Sequence, residues 1–148
     1  MRLLFESWRE FIKEGEEMDK HEVSKVMIVD GDKVLLLLRE KNSHWKPLYW
    51  DFPGGHLKND ETWEQGAIRE VKEETNLDVS GLEEITVENQ EARIKFFKTT
   101  NFSGKFILDT LENEAFRWVK AKDIPNYDKL TPNVATLVKK ELQDETSI

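Results

Sequence analysis

Residues 55–77 read GHLKNDETWEQGAIREVKEETNL, a glycine loop feeding a helix with three carboxylates on one face. Glu70, Glu73 and Glu74 stand at i, i+3 and i+4, so a single helical face presents them all. Like charges at that spacing repel, and Glu70/Glu74 at i, i+4 destabilise an isolated helix. Either the face is solvated or a cation resides there; oxygen ligands at this density suit Mg²⁺ or Mn²⁺. The spacing predicts a helix from about Thr62 to Thr75. Thr62 and Gln65 form a capping-box pair that starts it. Trp63, Ala67 and Val71 supply a buried stripe beside the acidic face. Arg69 lies four residues before Glu73 and can hold that carboxylate by a charge-assisted hydrogen bond. Asn76 stands where a C-terminal cap adopts left-handed backbone angles, which Asn tolerates second only to Gly.

Upstream, residues 3–14 (LLFESWREFIKE) place Leu4, Phe5, Trp8, Phe11 and Ile12 along one helical stripe. The stripe packs against the body of the domain or against a second subunit, as a homodimer. Gly15 to Glu22 is a charged connector, so residues 1–21 form a leader and 22–148 the main domain. Val23–Val29 and Lys33–Leu38 read as strands joined through Asp30-Gly31-Asp32, a hairpin signal. The unbroken aliphatic run Val34–Leu38 indicates burial on both faces. A polar loop, Glu40 to Lys46, precedes a short strand at Tyr49–Phe52 that ends at Pro53-Gly54-Gly55. Downstream, Ile85–Asn89, Arg93–Thr99 and Ala115–Val119 are further strands. Thr131-Pro132, as N-cap and first helical position, opens a final helix through about Leu142. Strands on both sides of a central helix, with another helix at the end, indicate an α/β layered domain.

The chain has 148 residues, 22 Lys and Arg against 30 Asp and Glu, and a net charge of -8. That length suits one domain with a proper core. The charge argues against a nucleic-acid duplex as partner, since no basic run offsets it. Without cysteine, disulfides, thiolate catalysis and Cys-based metal sites are excluded. No apolar run is long enough to span a membrane. Glu6, Arg9 and Glu10 interrupt any signal-peptide core, so a cytoplasmic location is expected.

The segment from Gly55 to Leu77 resembles the box of the Nudix (MutT-like) hydrolase family. Gly55, Glu61, Arg69, Glu70, Val71, Glu73, Glu74 and Leu77 fall on its pattern, and Asn76 replaces the family's Gly. An accidental match at the six fixed Gly, Glu and Arg positions has a probability on the order of 10⁻⁶ per starting point. WDFPGG at 50–55 and FRWV at 116–119 followed by Asp123-Ile124-Pro125 extend the likeness across roughly residues 22–142. The resemblance implies an α/β/α sandwich, a mixed β-sheet between helices, with the catalytic loop–helix–loop at the sheet edge. It implies hydrolysis of a nucleoside diphosphate linked to another group, with Mg²⁺ or Mn²⁺ as cofactor and water attacking phosphorus. Glu70, Glu73 and Glu74, with the Gly55 carbonyl, would hold the metal; Arg69 would orient Glu73, and Glu61 would be structural or hold an outer-shell water. A further glutamate before the late strand joins many such sites; Glu112 is the candidate and Glu114 its competitor.

Outside the box the signals are thinner. Arg39 either meets a substrate phosphate or is an ordinary surface arginine. Trp50, with Trp45 and Tyr49, either stacks a base or belongs to the core. His56 follows the glycine pair, and His21 and His44 make no metal-ligand spacing with it. Substrate markers known from the family are missing: Glu91-Ala92-Arg93-Ile94 has no proline of the ADP-ribose hydrolases, and Lys95-Phe96-Phe97 no tyrosine of the dinucleoside polyphosphate hydrolases. The SQPWPF array of the NADH hydrolases is missing too. Nucleoside di- or triphosphates are the first expectation, with nucleotide sugars and dinucleotides open. A non-catalytic nucleotide sensor is the alternative, although such proteins break the box carboxylates and this chain keeps them.

Overall fold

The computed structural model describes residues 21–143, so the striped leader at 3–14 and most of its connector lie outside the described residues. The aliphatic runs decide the centre. Strand β1 (Val23–Asp30) and strand β2 (Lys33–Arg39) pair antiparallel at Val29↔Val34 and Asp30↔Lys33, around a tight turn with Gly31 at φ 63°. Val34 to Leu37 are buried as their unbroken apolar sequence requires. Beyond those two pairs the hairpin splays. β1 turns to β7 (Ile94–Thr99), which it meets in parallel, while β2 pairs antiparallel with β9 (Asn113–Lys120).

Residues 49–56 cross the gap so opened. Strand β3 (Trp50–Asp51) pairs with Leu37 and Leu38, Pro53 O accepts from Val26 N at 2.8 Å, and β4 (Gly54–His56) pairs with Val23–Lys25. Gly54 is indispensable there: at φ 150°, a Cβ would lie 2.1 Å from the Ser24 carbonyl oxygen. β6 (Glu83–Ile85) completes the main sheet on β7, and β5 (Asp78–Ser80) with β8 (Asn101–Ser103) forms a small separate pair.

Each face of the main sheet carries its own core. Helix α1 (Trp63–Thr75) buries Ala67 and Val71 against Val26, Ile28, Leu35 and Leu37. The capping box is present, with Thr62 accepting from Gln65 N at 3.1 Å and Gln65 accepting from Thr62 N at 3.0 Å. Asn76 ends the helix in the left-handed region at φ 64°. On the opposite face, helix α2 (Val134–Val138) packs Val134, Leu137 and Val138 on Met27, Val29, Leu36, Phe52 and Phe96. Helices on both faces of a mixed sheet make the expected α/β/α sandwich, and no helix among the described residues is long and apolar enough to cross a membrane.

Several expectations are corrected. The final helix does not begin at Thr131-Pro132; its N-cap is Asn133 at φ 78°, and after five residues it widens into a π-helical turn over Lys139–Gln143. Thr131 is withdrawn from capping because its hydroxyl donates to buried Asp51 Oδ1 at 2.7 Å. The strand expected at Ile85–Asn89 ends at Ile85: Gln90 folds back to accept from Val87 N and donate to Ile94 O, and Asn89 turns left-handed. Tyr49–Phe52 contributes only its middle two residues to a strand. Strands β4, β5 and β8 were not expected, being three residues long and rich in Gly, Asp, Ser or Asn.

Candidate active site

Helix α1 lays its acidic face against the glycine loop. Glu70 is fully buried, and a Cβ on Gly55 would come within 2.6 Å of the Glu70 carboxylate. Only a residue without a side chain lets this loop and that carboxylate meet. Glu74, one turn on and also buried, accepts from Gly54 N at 2.7 Å and from Asn113 Nδ2 at 3.1 Å. Burial, reinforced by the negative charges of Glu70 and Glu112, pushes the Glu74 carboxyl up to about 8, against the opposing pull of Lys25 and the Gly54 N–H.

Arg69 is the hub on the outer side. It reaches Glu70 and Glu73 at 3.0 Å each from Nη1, grips both Glu61 oxygens, and donates from Nη2 to His56 O at 2.9 Å. Burial alone would disfavour its charge, but the bond to Glu61 and the three carboxylate charges outweigh this and hold the guanidinium protonated. Glu61 also accepts from Lys58 N at 2.7 Å. Although burial pushes its carboxyl up, these bonds and the Arg69 and Lys58 charges hold it below the usual range. Glu61 thereby ties the loop to the helix through Arg69. The i, i+4 contact of Arg69 with Glu73 is in place as the spacing suggested.

Beside this face opens a cleft of about 620 Å³, in the space where β1 and β2 part. Its lining brings together Gly54, Gly55, Glu74 and Glu112 with Lys25, Arg39 and Trp45. Of the two competing glutamates, Glu112 reaches the cleft. A register shift between Leu38 and Arg39 places Asn113 opposite Arg39 and leaves Glu114 to the side, where it accepts from Lys41 N at 3.1 Å. Trp50 is outside the cleft lining; it meets Tyr127 edge-on at 5.9 Å and lies under Arg117 at 5.3 Å. Arg39 is at the cleft but turned onto its own loop, donating to Trp45 O and Ser43 Oγ. Sequence reading passed over Lys25 and Asn113. Asn113 bonds Glu74, and the charge of Lys25 acts on it, only through tertiary pairing, and no local pattern marks either residue.

Among the described residues no three acidic or histidine side chains are already gathered around one point, since Arg69 draws Glu70 and Glu73 to itself. The donors nevertheless fit a hard divalent cation: carboxylate and carbonyl oxygens, two of the carboxylates buried side by side, and a glycine loop that leaves room.

The chain is thus an α/β/α sandwich whose glycine loop meets the buried carboxylates of one helix. A model of the NUDIX domain matches residues 19–140, and the chain belongs to the NUDIX domain family as a Nudix hydrolase. An 8-oxo-dGTP diphosphatase of Proteus vulgaris is 38% identical over 66 residues, covering 43% of this chain and 58% of that protein. An ADP-ribose pyrophosphatase of Methanocaldococcus jannaschii is 40% identical over 50 residues, 34% of this chain and 29% of that protein. These matches thus span less than two thirds of either relative. A crystal structure of a MutT NUDIX hydrolase from Burkholderia pseudomallei shares the fold with a TM-score of 0.69 at 21% identity, covering 80% of this chain and 95% of that one.

Proposed function

We propose that this chain is a Mg²⁺-dependent pyrophosphohydrolase acting on nucleoside di- or triphosphates. The observation that carries the reading is the Gly55 loop closed over Glu70, beside buried Glu74, at a cleft large enough for a nucleotide. The 8-oxo-dGTP diphosphatase among its relatives supports the triphosphate class, and the ADP-ribose pyrophosphatase supports only the wider class of nucleotide pyrophosphates.

In this reading Glu70, Glu73 and Glu74, the Gly55 carbonyl and Glu112 hold Mg²⁺, and Mn²⁺ suits the same donors. The cation supplies positive charge that stabilises the phosphate oxygens and makes water more acidic. Arg69 fixes the orientation of Glu73 and Glu70, and Glu61 fixes Arg69. Asn113 and the Gly54 N–H hold Glu74 at the cleft floor. The oxygen of water bonds to phosphorus, the bridging P–O bond breaks, and a cleft carboxylate takes the proton.

The test is a Mg²⁺-dependent phosphate-release screen over common and oxidised nucleoside triphosphates, nucleoside diphosphates, ADP-ribose, dinucleoside polyphosphates and nucleotide sugars. Turnover of a nucleoside di- or triphosphate is expected. Preference for a sugar nucleotide or dinucleotide would move the substrate assignment, and saturable binding without turnover of any would favour a nucleotide sensor.

A further inference from the structure

Of the tryptophans among the described residues, only Trp45 is exposed, at 44%, and it lines the cleft that holds Gly55, Glu74 and Glu112. An exposed indole loses hydrophobic stabilisation unless something covers it. The surrounding loop is nonetheless built to hold it still. The Arg39 guanidinium lies over the indole, 5.0 Å from its centroid, while Arg39 Nε donates to Trp45 O at 2.8 Å. Arg39 Nη2 donates to Ser43 Oγ at 2.7 Å, Ser43 Oγ donates to Trp45 O at 2.9 Å, and Arg39 Nη1 is 3.7 Å from Asp51 Oδ2. Nε and Nη2 are thus hydrogen-bonded within the loop, and Nη1 faces Asp51 at ion-pair distance. Lys46 and Leu48 hold left-handed backbone at φ 46° and 59°, a conformation that L residues with side chains disfavour. Such strain persists only where surrounding contacts enforce it.

We propose that Trp45 is the base-stacking platform of the cleft and that Arg39 is a positioning residue that backs the indole and does not itself contact phosphate. The inference rests on the nucleotide reading above. Every nucleobase offers a π-face, so a rigid exposed indole beside a phosphate site selects base-bearing substrates over base-free polyphosphates. One face of the ring is covered by Arg39, which leaves the other for the base and lowers the ordering cost of binding.

The experiment is calorimetric titration, in Mg²⁺, of two probes: the α,β-methylene analogue of deoxyguanosine triphosphate and inorganic triphosphate. Wild type, Trp45→Ala, Trp45→Phe, Arg39→Ala and the Trp45→Ala/Arg39→Ala double variant are compared. Trp45→Ala should weaken the nucleotide analogue by about tenfold, in keeping with the usual cost of deleting a stacking aromatic, and leave inorganic triphosphate within about twofold. Trp45→Phe should retain most of the affinity because it keeps an aromatic face. Arg39→Ala should reproduce the base-selective loss, with the double variant little worse than either single, because the two residues act as one unit. Equal weakening of both probes by Arg39→Ala would make it a phosphate contact and overturn the positioning role. Unchanged nucleotide affinity in Trp45→Ala, or no binding of the analogue by wild type, would overturn the platform. Base-selective loss in a protein that hydrolyses no nucleotide would uphold the platform while sinking the hydrolase reading.

Discussion

Helix α1 enters through a capping box and leaves through left-handed Asn76, whereas α2 enters from left-handed Asn133 without a side-chain cap and soon widens. Each is preceded by a threonine that local rules would assign to capping. Thr62 serves its helix. Thr131 instead ties to Asp51, which also binds Lys25 at 2.8 Å. Lys25, Pro132 and Asn133 all line the cleft. Local signals therefore hold where the helix is a platform and fail where the chain is bent to make a cleft wall.

The comparison is most strongly tested at Gly55. If α1 is a platform whose carboxylate must meet the loop, Gly55→Ala should cut turnover on the order of 10²-fold by displacing Glu70. The overpacking should lower stability by only about 1–3 kcal/mol. Steady-state kinetics beside denaturant melts decide it, and wild-type kcat in the alanine variant would mean the close approach has no catalytic role.

The next effect is a pH slope. Glu74 titrates near 8 in the metal-free fold against an ordinary value of 4.5. Its folded pKa is raised, so the stability it contributes is fully present below about 4.5 and is lost as pH rises through 8. Glu74→Gln should remove that slope, worth on the order of a few kcal/mol across the window. Chemical denaturation in chelator at pH 5 and pH 9 measures it; parallel behaviour of wild type and variant would show that Glu74 does not carry the burden.

At the other helix, Thr131→Ala should cost about 1–3 kcal/mol by stranding a buried carboxylate oxygen, and Thr131→Ser should restore most of it. A loss of a few tenths in the alanine variant would reduce Thr131 to an ordinary turn residue. The smallest effect belongs to Asn76. Valine there should destabilise by about 1–2 kcal/mol, because a β-branched residue resists φ 64°. Glycine should stay within about 1 kcal/mol, its backbone ease offset by loss of the Asn76 Nδ2 bond to Lys105 O. Denaturant midpoints rank the two, and a tolerated valine would contradict the left-handed cap.

What was legible in the sequence was what is local. The span from Gly55 to Asn76 carries its own caps, stripe and charge spacing, and the two central strands announce themselves as aliphatic runs. Glu112 and Glu114 could not be separated, because a register shift in the β2–β9 pairing decides which of them reaches the cleft. Trp50 was the aromatic singled out for the substrate, yet tertiary packing sets it against Tyr127 and brings Trp45 to the cleft instead. Lys25 and Asn113 approach Glu74 only across the sheet, at a distance no sequence window covers.

The central claim is that the α1 carboxylates hold a catalytic divalent cation. Its most direct test is kcat against Mg²⁺ concentration for wild type, Glu73→Gln and Glu74→Gln, each shown to be folded. Both substitutions keep side-chain size and remove one charge. The account predicts that each lowers kcat on the order of 10²–10⁴-fold. Wild-type rates at low Mg²⁺ in either variant would contradict it.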